Sequence, residues 1–213
     1  MLCDISSGKP REKRLYNYNN YVIQYHPRQQ GKEGARMEEL TQLKQKLEEQ
    51  RPVGWNELPD IALYMDQVVS YLPRQHIRFG EGEGMTSAMV NNYIKDGLLP
   101  RAEGKRYGRS HLAYLTAINA LKQVLSVKDM AALIQSGEAG HDAEDLYAVF
   151  LQELDTALTD TARQIPGELE TEGLPRLALA LALRSYADRL ACQRIIDLLR
   201  PEEPEKKRKN KPK

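Results

Sequence analysis

Apolar residues recur along this chain three and four positions apart, and Pro or Gly halts each run. At 3.6 residues per turn such spacing collects the apolar side chains on one face, so the pattern predicts a set of separate amphipathic helices. The breakers are Pro73, Gly84, Gly97 with Pro100, Gly137, Pro166 with Gly167, and Pro175. Ahead of the first, "MEELTQLKQKLEEQ" sets Leu40, Leu43 and Leu47 on one stripe. Ile61, Tyr64, Met65, Val68, Val69 and Leu72 predict a helix that buries one face and ends at Pro73.

Thr86 is a suitable N-cap for the next helix, in which Met89, Val90, Tyr93 and Ile94 face inward and which Gly97 stops. "RAEGKRYGR" (101–109) is a short basic loop, long enough for a small hairpin. Leu112, Leu115, Ile118 and Leu121 mark a helix over about 109–124. Ser126, with Asp129 three residues on, caps a short helix burying Val127, Met130, Leu133 and Ile134. Leu146, Phe150, Leu154 and Leu158 form the stripe of a longer helix over about 143–165.

The last run, from Pro175 to about Leu199, is apolar on two sides. Leu177 and Leu181 project one way, and Leu179 and Leu183 about 200° away at 100° per residue. Such a helix must be covered twice. Either the monomer supplies both covers, or it supplies one and a homodimer the other.

The ends differ from this plan. Residues 1–36, which include "LYNYNNYVIQYHPRQQGKEG", are rich in Tyr, Asn and Gln without a period, and are expected to be poorly ordered. Met37, opening a lead-in helix over 37–52, is expected to be the natural start. Residues 201–213 are a charge run, expected to be a solvated, disordered tail.

The chain is 41% hydrophobic and 29% charged with a formal net charge of +1, enough for a core and without a global pull toward polyanions. The charge is unevenly spread. Residues 85–128 hold seven Lys/Arg against two Asp/Glu, a net +5, whereas residues 137–175 hold one Arg against ten acids, a net −9. A part facing a polyanion beside a part that does not is the expectation. The acids from Glu138 to Glu172 read as the solvated face of a helix pair.

Cys3 and Cys192 form no CxxC pattern, which argues against a thiolate metal site or a disulfide framework and suits a reducing compartment. No apolar run approaches the roughly 18 residues of a membrane span, and no secretory signal opens the chain, so a cytoplasmic location is expected. His26, His76, His111 and His141 are too scattered for a metal set, and His111 reads as a surface residue. "GEGEG" (80–84) lacks the Lys-Ser/Thr of a phosphate cradle and reads as a flexible loop. No nucleophile elbow or paired catalytic carboxylates can be placed by spacing, so no enzyme, cofactor or metal is expected.

What remains is the stretch "MTSAMVNNYIKDGLLP" (85–100). Asparagine is a mediocre helix former, yet Asn91 and Asn92 stand together on the outer side with Ser87 and Lys95. An Asn amide near the backbone can pair bidentately with adenine N6 and N7. Lys105, Arg106 and Arg109 of the basic loop could then neutralise phosphates and fix register without reading sequence. The competing reading is a solvated helix face with no partner.

Thr86, Val90, Tyr93, "GLLP" (97–100), Lys105, Tyr107, Leu112, Leu115 and Ile118 together resemble a MerR-type winged helix-turn-helix. The resemblance implies a mainly α fold: a MerR-like winged helix-turn-helix with a small β-hairpin wing over 55–137, then a C-terminal helical pair over 138–200. It also implies a transcriptional regulator that binds duplex DNA through Thr86, Ser87, Asn91, Asn92, Lys95, Lys105, Arg106 and Arg109. Where that family carries recognition arginines, this chain has Ala88 and Asn91. A protein-interaction module built on a degenerate helix-turn-helix is therefore the alternative. "WNELPDIALYMDQV", "MVNNYIKDGLLP" and "LKQVLSVKDMAALI" more closely resemble a bacterial family known only as domain of unknown function 1836, over roughly Trp55 to Leu199. That resemblance implies a DNA-binding domain of the same kind and no established activity.

Overall fold

The computed structural model describes residues 30–77, 84–137, 140–167 and 169–200. Over these the chain is mainly helical. Its helices are α1 (Gln30–Glu49), α2 (Met65–Tyr71), α3 (Ser87–Lys95), α4 (Arg109–Leu121), α5 (Val127–Gly137), α6 (Ala143–Gln164) and α7 (Leu174–Leu199). Short 3-10 turns lie at Trp55–Glu57, Leu72–Gln75 and Thr171–Gly173. Residues 1–29 and 201–213 and most of "GEGEG" lie outside the described residues, and with them the expectations placed there.

Two apolar cores organise the described residues. The larger gathers Val68 and Leu72, Val90 and Tyr93, Leu98 and Leu99, and Leu112, Leu115 and Ile118, with Met130, Tyr147 and Ile196 closing it from α5, α6 and α7. The smaller joins Leu47 of α1 to Ala162 and Ile165 at the end of α6. Helix α6 therefore belongs to both.

The helix stops and caps follow the local chemistry. The Asp142 carboxylate accepts the Glu144 and Asp145 N–H groups at 2.9 Å each and opens α6. Ser126 Oγ accepts the Asp129 N–H at 3.2 Å and donates to its carboxylate at 2.7 Å, a reciprocal cap ahead of α5. Arg200 also donates to Asp129, which ties the end of α7 to the start of α5. The Ser126 hydroxyl first, with Arg200 adding to it, holds the Asp129 carboxyl below its usual range.

Three expectations about boundaries change. Helix α1 begins at Gln30, ahead of Met37. Helix α2 begins only at Met65, so Ile61 and Tyr64 are 68% and 48% exposed and do not line the core. The helical spacing of those two residues is coincidental. The segment before α2 is extended, and Leu63 between them is buried and pairs with Tyr107 through two N–H to carbonyl bonds of 2.9 Å. Alternate side chains of an extended segment point to opposite sides, which puts Leu63 inside and Tyr64 out, while Ile61 lies in the bend ahead of them.

The third change is the wing. Among the described residues no strand forms; the expected hairpin is a two-residue turn closed by the Glu103–Arg106 bridge, with N–H to carbonyl bonds of 3.1 and 3.0 Å. Gly104 and Lys105 at its tip both have positive φ, 57° and 66°, the conformation a tight two-residue hairpin requires. The next rung of such a ladder would join Arg101 to Gly108. There the His111 ring stands between them: the Gly108 N–H donates to Nδ1 at 3.2 Å, and Nε2 lies 3.2 Å from the Arg101 carbonyl. An imidazole that accepts at Nδ1 carries its proton on Nε2, so it donates to Arg101. One side chain thus replaces the backbone rung, and Tyr107 is left to pair outward with Leu63. His111 is buried, not a surface residue as its sequence context suggested.

Candidate nucleic-acid interface

Helix α3 is held from both ends. Thr86 Oγ1 accepts the Met89 N–H at 3.2 Å, which caps the first turn. At the far end the Gly97 N–H donates to the Ile94 carbonyl at 3.3 Å and the Leu98 N–H to the Tyr93 carbonyl at 2.9 Å. That pair of bonds, with Gly97 at φ +76°, is a Schellman stop, and Leu98 packs beside Tyr93 in the core as such a stop favours. "GLLP" therefore has a local explanation: Gly97 takes the left-handed residue, Leu98 and Leu99 are buried, and Pro100 leaves the helix.

Val90 and Tyr93 are buried and Met89 and Ile94 half-buried, so the inner side is fixed as the spacing predicted. On the outer side Ser87, Asn91, Asn92 and Lys95 are all exposed. Thr86 is exposed as well, with its hydroxyl oxygen committed to the cap. The four outer residues offer a hydroxyl, two amides and one ammonium along less than three turns of helix.

The basic turn is a separate group, anchored to the start of α2. Lys105 and Arg106 are exposed at its tip. The Arg106 guanidinium donates to the Tyr64 hydroxyl at 2.9 Å and lies 5.0 Å from the centroid of that ring. Cation and ring face each other, so the guanidinium is held in one place while its remaining N–H groups stay available. Arg109 does not join this group. It is half-buried at the start of α4 with its guanidinium 5.9 Å from the Trp55 ring centroid. Its Nε is buried and has no hydrogen-bond partner among the described residues.

Residues that sequence reasoning passed over turn out to shape this surface. Tyr64, assigned to the core by its spacing, orients Arg106. His111 fixes the base of the turn and packs edge-on against Tyr107, 5.5 Å between centroids. Trp55 takes Arg109 out of solution. The only local signal for His111 was its place three residues after Gly108, where a side chain can reach back to a helix N-cap N–H.

Two exposed acids lie within these sets, Asp96 next to Lys95 and Glu103 across the turn from Arg106. Of the acids on α6, Asp155 pairs with Arg51 at 2.6 Å and Asp160 with Arg163 at 2.8 Å. Among the described residues no three His, Cys, Asp or Glu side chains gather in a way that could hold a metal ion. No helix there is long and apolar enough to cross a membrane.

No curated protein and no solved structure matches the chain. A family model described as "Domain of unknown function (DUF1836)" matches residues 53–150. The match opens just before Trp55, runs through α2, α3, the basic turn, α4 and α5, and stops inside α6, short of the Leu199 that the sequence resemblance reached. Residues 53–150, which carry the whole candidate surface, are thus the part of the chain similar to that family.

Proposed function

We propose that the protein is a sequence-specific duplex DNA-binding transcriptional regulator of MerR-like helix-turn-helix type, with α3 as the helix that enters the major groove. The observation that carries this reading is the exposed Ser87, Asn91, Asn92 and Lys95 on a helix whose other side is locked into the core. A recognition helix must present short hydrogen-bonding groups on a rigid backbone, and α3 does both. Asn91 and Asn92 read base edges, while Lys95, Lys105 and Arg106 contact phosphates. The two-residue turn takes the place of a β wing. Pairing of the turn's Tyr107 with Leu63 ahead of α2 supports a helix-turn-helix unit that acts as one body.

A non-catalytic protein-interaction module is the second reading. It is favoured by Arg106 and Arg109 facing Tyr64 and Trp55, and by Ala88 and Asn91 where MerR-type helices carry arginines.

Fluorescence anisotropy with a random duplex at low salt separates the two. A DNA binder is retained and loses affinity steeply as salt rises, because phosphate contacts release counterions. Against duplexes selected from a random pool, Asn91→Ala is expected to relax preference at one base position, a discrimination of about 1–3 kcal/mol. Arg106→Ala is expected to weaken all sequences alike and reduce the salt slope by about one. Absence of binding at low salt removes the DNA reading, and equal loss on every sequence for Asn91→Ala removes the base-reading role.

A further inference from the structure

Helix α7 carries two apolar faces, and the monomer covers one in part, leaving Ile195, Leu198 and Leu199 at its end 58%, 70% and 43% exposed. Ile196 is buried, Cys192 packs against the larger core, and Leu177 and Leu181 are half-buried. On the opposite side Leu179, Leu183, Tyr186 and Leu190 are 59%, 58%, 63% and 50% exposed. Four large side chains left this open in one row are a contiguous patch, unlike the single exposed apolar residues that any surface carries.

The steps along this row are four, three and four residues, the alternating spacing of a helix-to-helix seam. Their order is also the same read from either end. A second α7 laid antiparallel over the first therefore sets Leu179 on Leu190 and Leu183 on Tyr186, twice over, about a two-fold axis between residues 184 and 185. Self-complementarity of this kind is what a closed two-fold interface needs, and it singles out another copy of this chain as the occupant. Ala180, Ala182 and Ala187 flank the row and let the two backbones approach. Charge selects the direction. In a parallel pair Arg189 of one copy would sit beside Arg194 of the other; in the antiparallel pair it sits beside Ala182. The tail after Arg200, "PEEPEKKRKNKPK", has no apolar side chain other than proline with which to cover the row.

We infer that the outer face of α7 is the docking surface for a second copy of this chain, packed antiparallel through Leu179, Leu183, Tyr186 and Leu190. This inference does not depend on the DNA-binding reading. Light scattering on the full-length chain at roughly 100 µM, where micromolar contacts are saturated, is expected to give a dimer. Leu183→Glu and Leu190→Glu are each expected to raise the dissociation constant on the order of a hundredfold, as central interface residues do, with helix content unchanged by circular dichroism. In a Cys3→Ser, Cys192→Ser background, a mixture of Leu179→Cys and Leu190→Cys chains is expected to form a disulfide-linked heterodimer, and neither chain alone to cross-link. Should either Glu variant lose helix content, the cysteine mixture decides alone. A monomeric wild type overturns the inference. So does a dimer indifferent to both Glu variants, or a Leu179→Cys chain that cross-links to itself.

Discussion

Gly97 shows how one backbone angle sets the end of the candidate interface. At φ +76° nothing lies within 4 Å of where a Cβ would sit, so a substitution is opposed by conformation and not by crowding. Gly97→Ala is expected to cost about 1 kcal/mol, read as a lower denaturant midpoint at unchanged slope, with Gly97→Asn closer to wild type. At His76 the limiting factor is water. Burial first, and the charge of Lys122 second, lower its pKa from 6.5 to about 4. The unfolded chain therefore binds a proton that the folded chain refuses. Its contribution is fully present above pH 6.5 and is lost as pH falls toward 4. Allowing for partial exposure, the stability of wild type is expected to drop by about 1–2 kcal/mol from this group between pH 7 and pH 5, and His76→Gln to flatten that drop. Denaturant titrations at the two pH values check the sign.

At the scale of elements, legibility in the sequence depended on how local the cause was. The inner sides of α3 and α4, the Thr86 and Ser126 caps, the Gly97 stop and the bounds of α6 all follow from residues within a turn or two of each other. The helix expected from Ile61 failed because Leu63 is claimed by Tyr107, a partner 44 residues away that no spacing rule can see. The wing failed for a similar reason. Its turn was foreseeable from "EGKR", but the side chain that replaces the next rung comes from the following helix. His111→Ala tests that account. It leaves the Gly108 N–H and the Arg101 carbonyl without their partner, and is expected to cost about 1–3 kcal/mol in thermal or chemical denaturation. Exchange protection of the Gly108 amide is expected to fall with it.

Over the whole molecule, the sequence indicated which helix surface faces outward but not how the basic groups are held, because Tyr64 and Trp55 meet Arg106 and Arg109 only in three dimensions. The two-sided character of α7 was visible from its period alone; which side the monomer covers was not. Helix α6 links the two cores. Its 22 residues make a rod of about 33 Å, seated at one end by Tyr147, whose hydroxyl donates to the Val53 carbonyl at 2.8 Å, and at the other by Ala162 and Ile165 under α1. Peeling α1 away would unseat the far end of this beam. The same lever arm would then carry the disturbance to Tyr147, which shares the larger core with Val90 and Tyr93 of α3, so α1 would have a mechanical grip on the helix that presents Asn91.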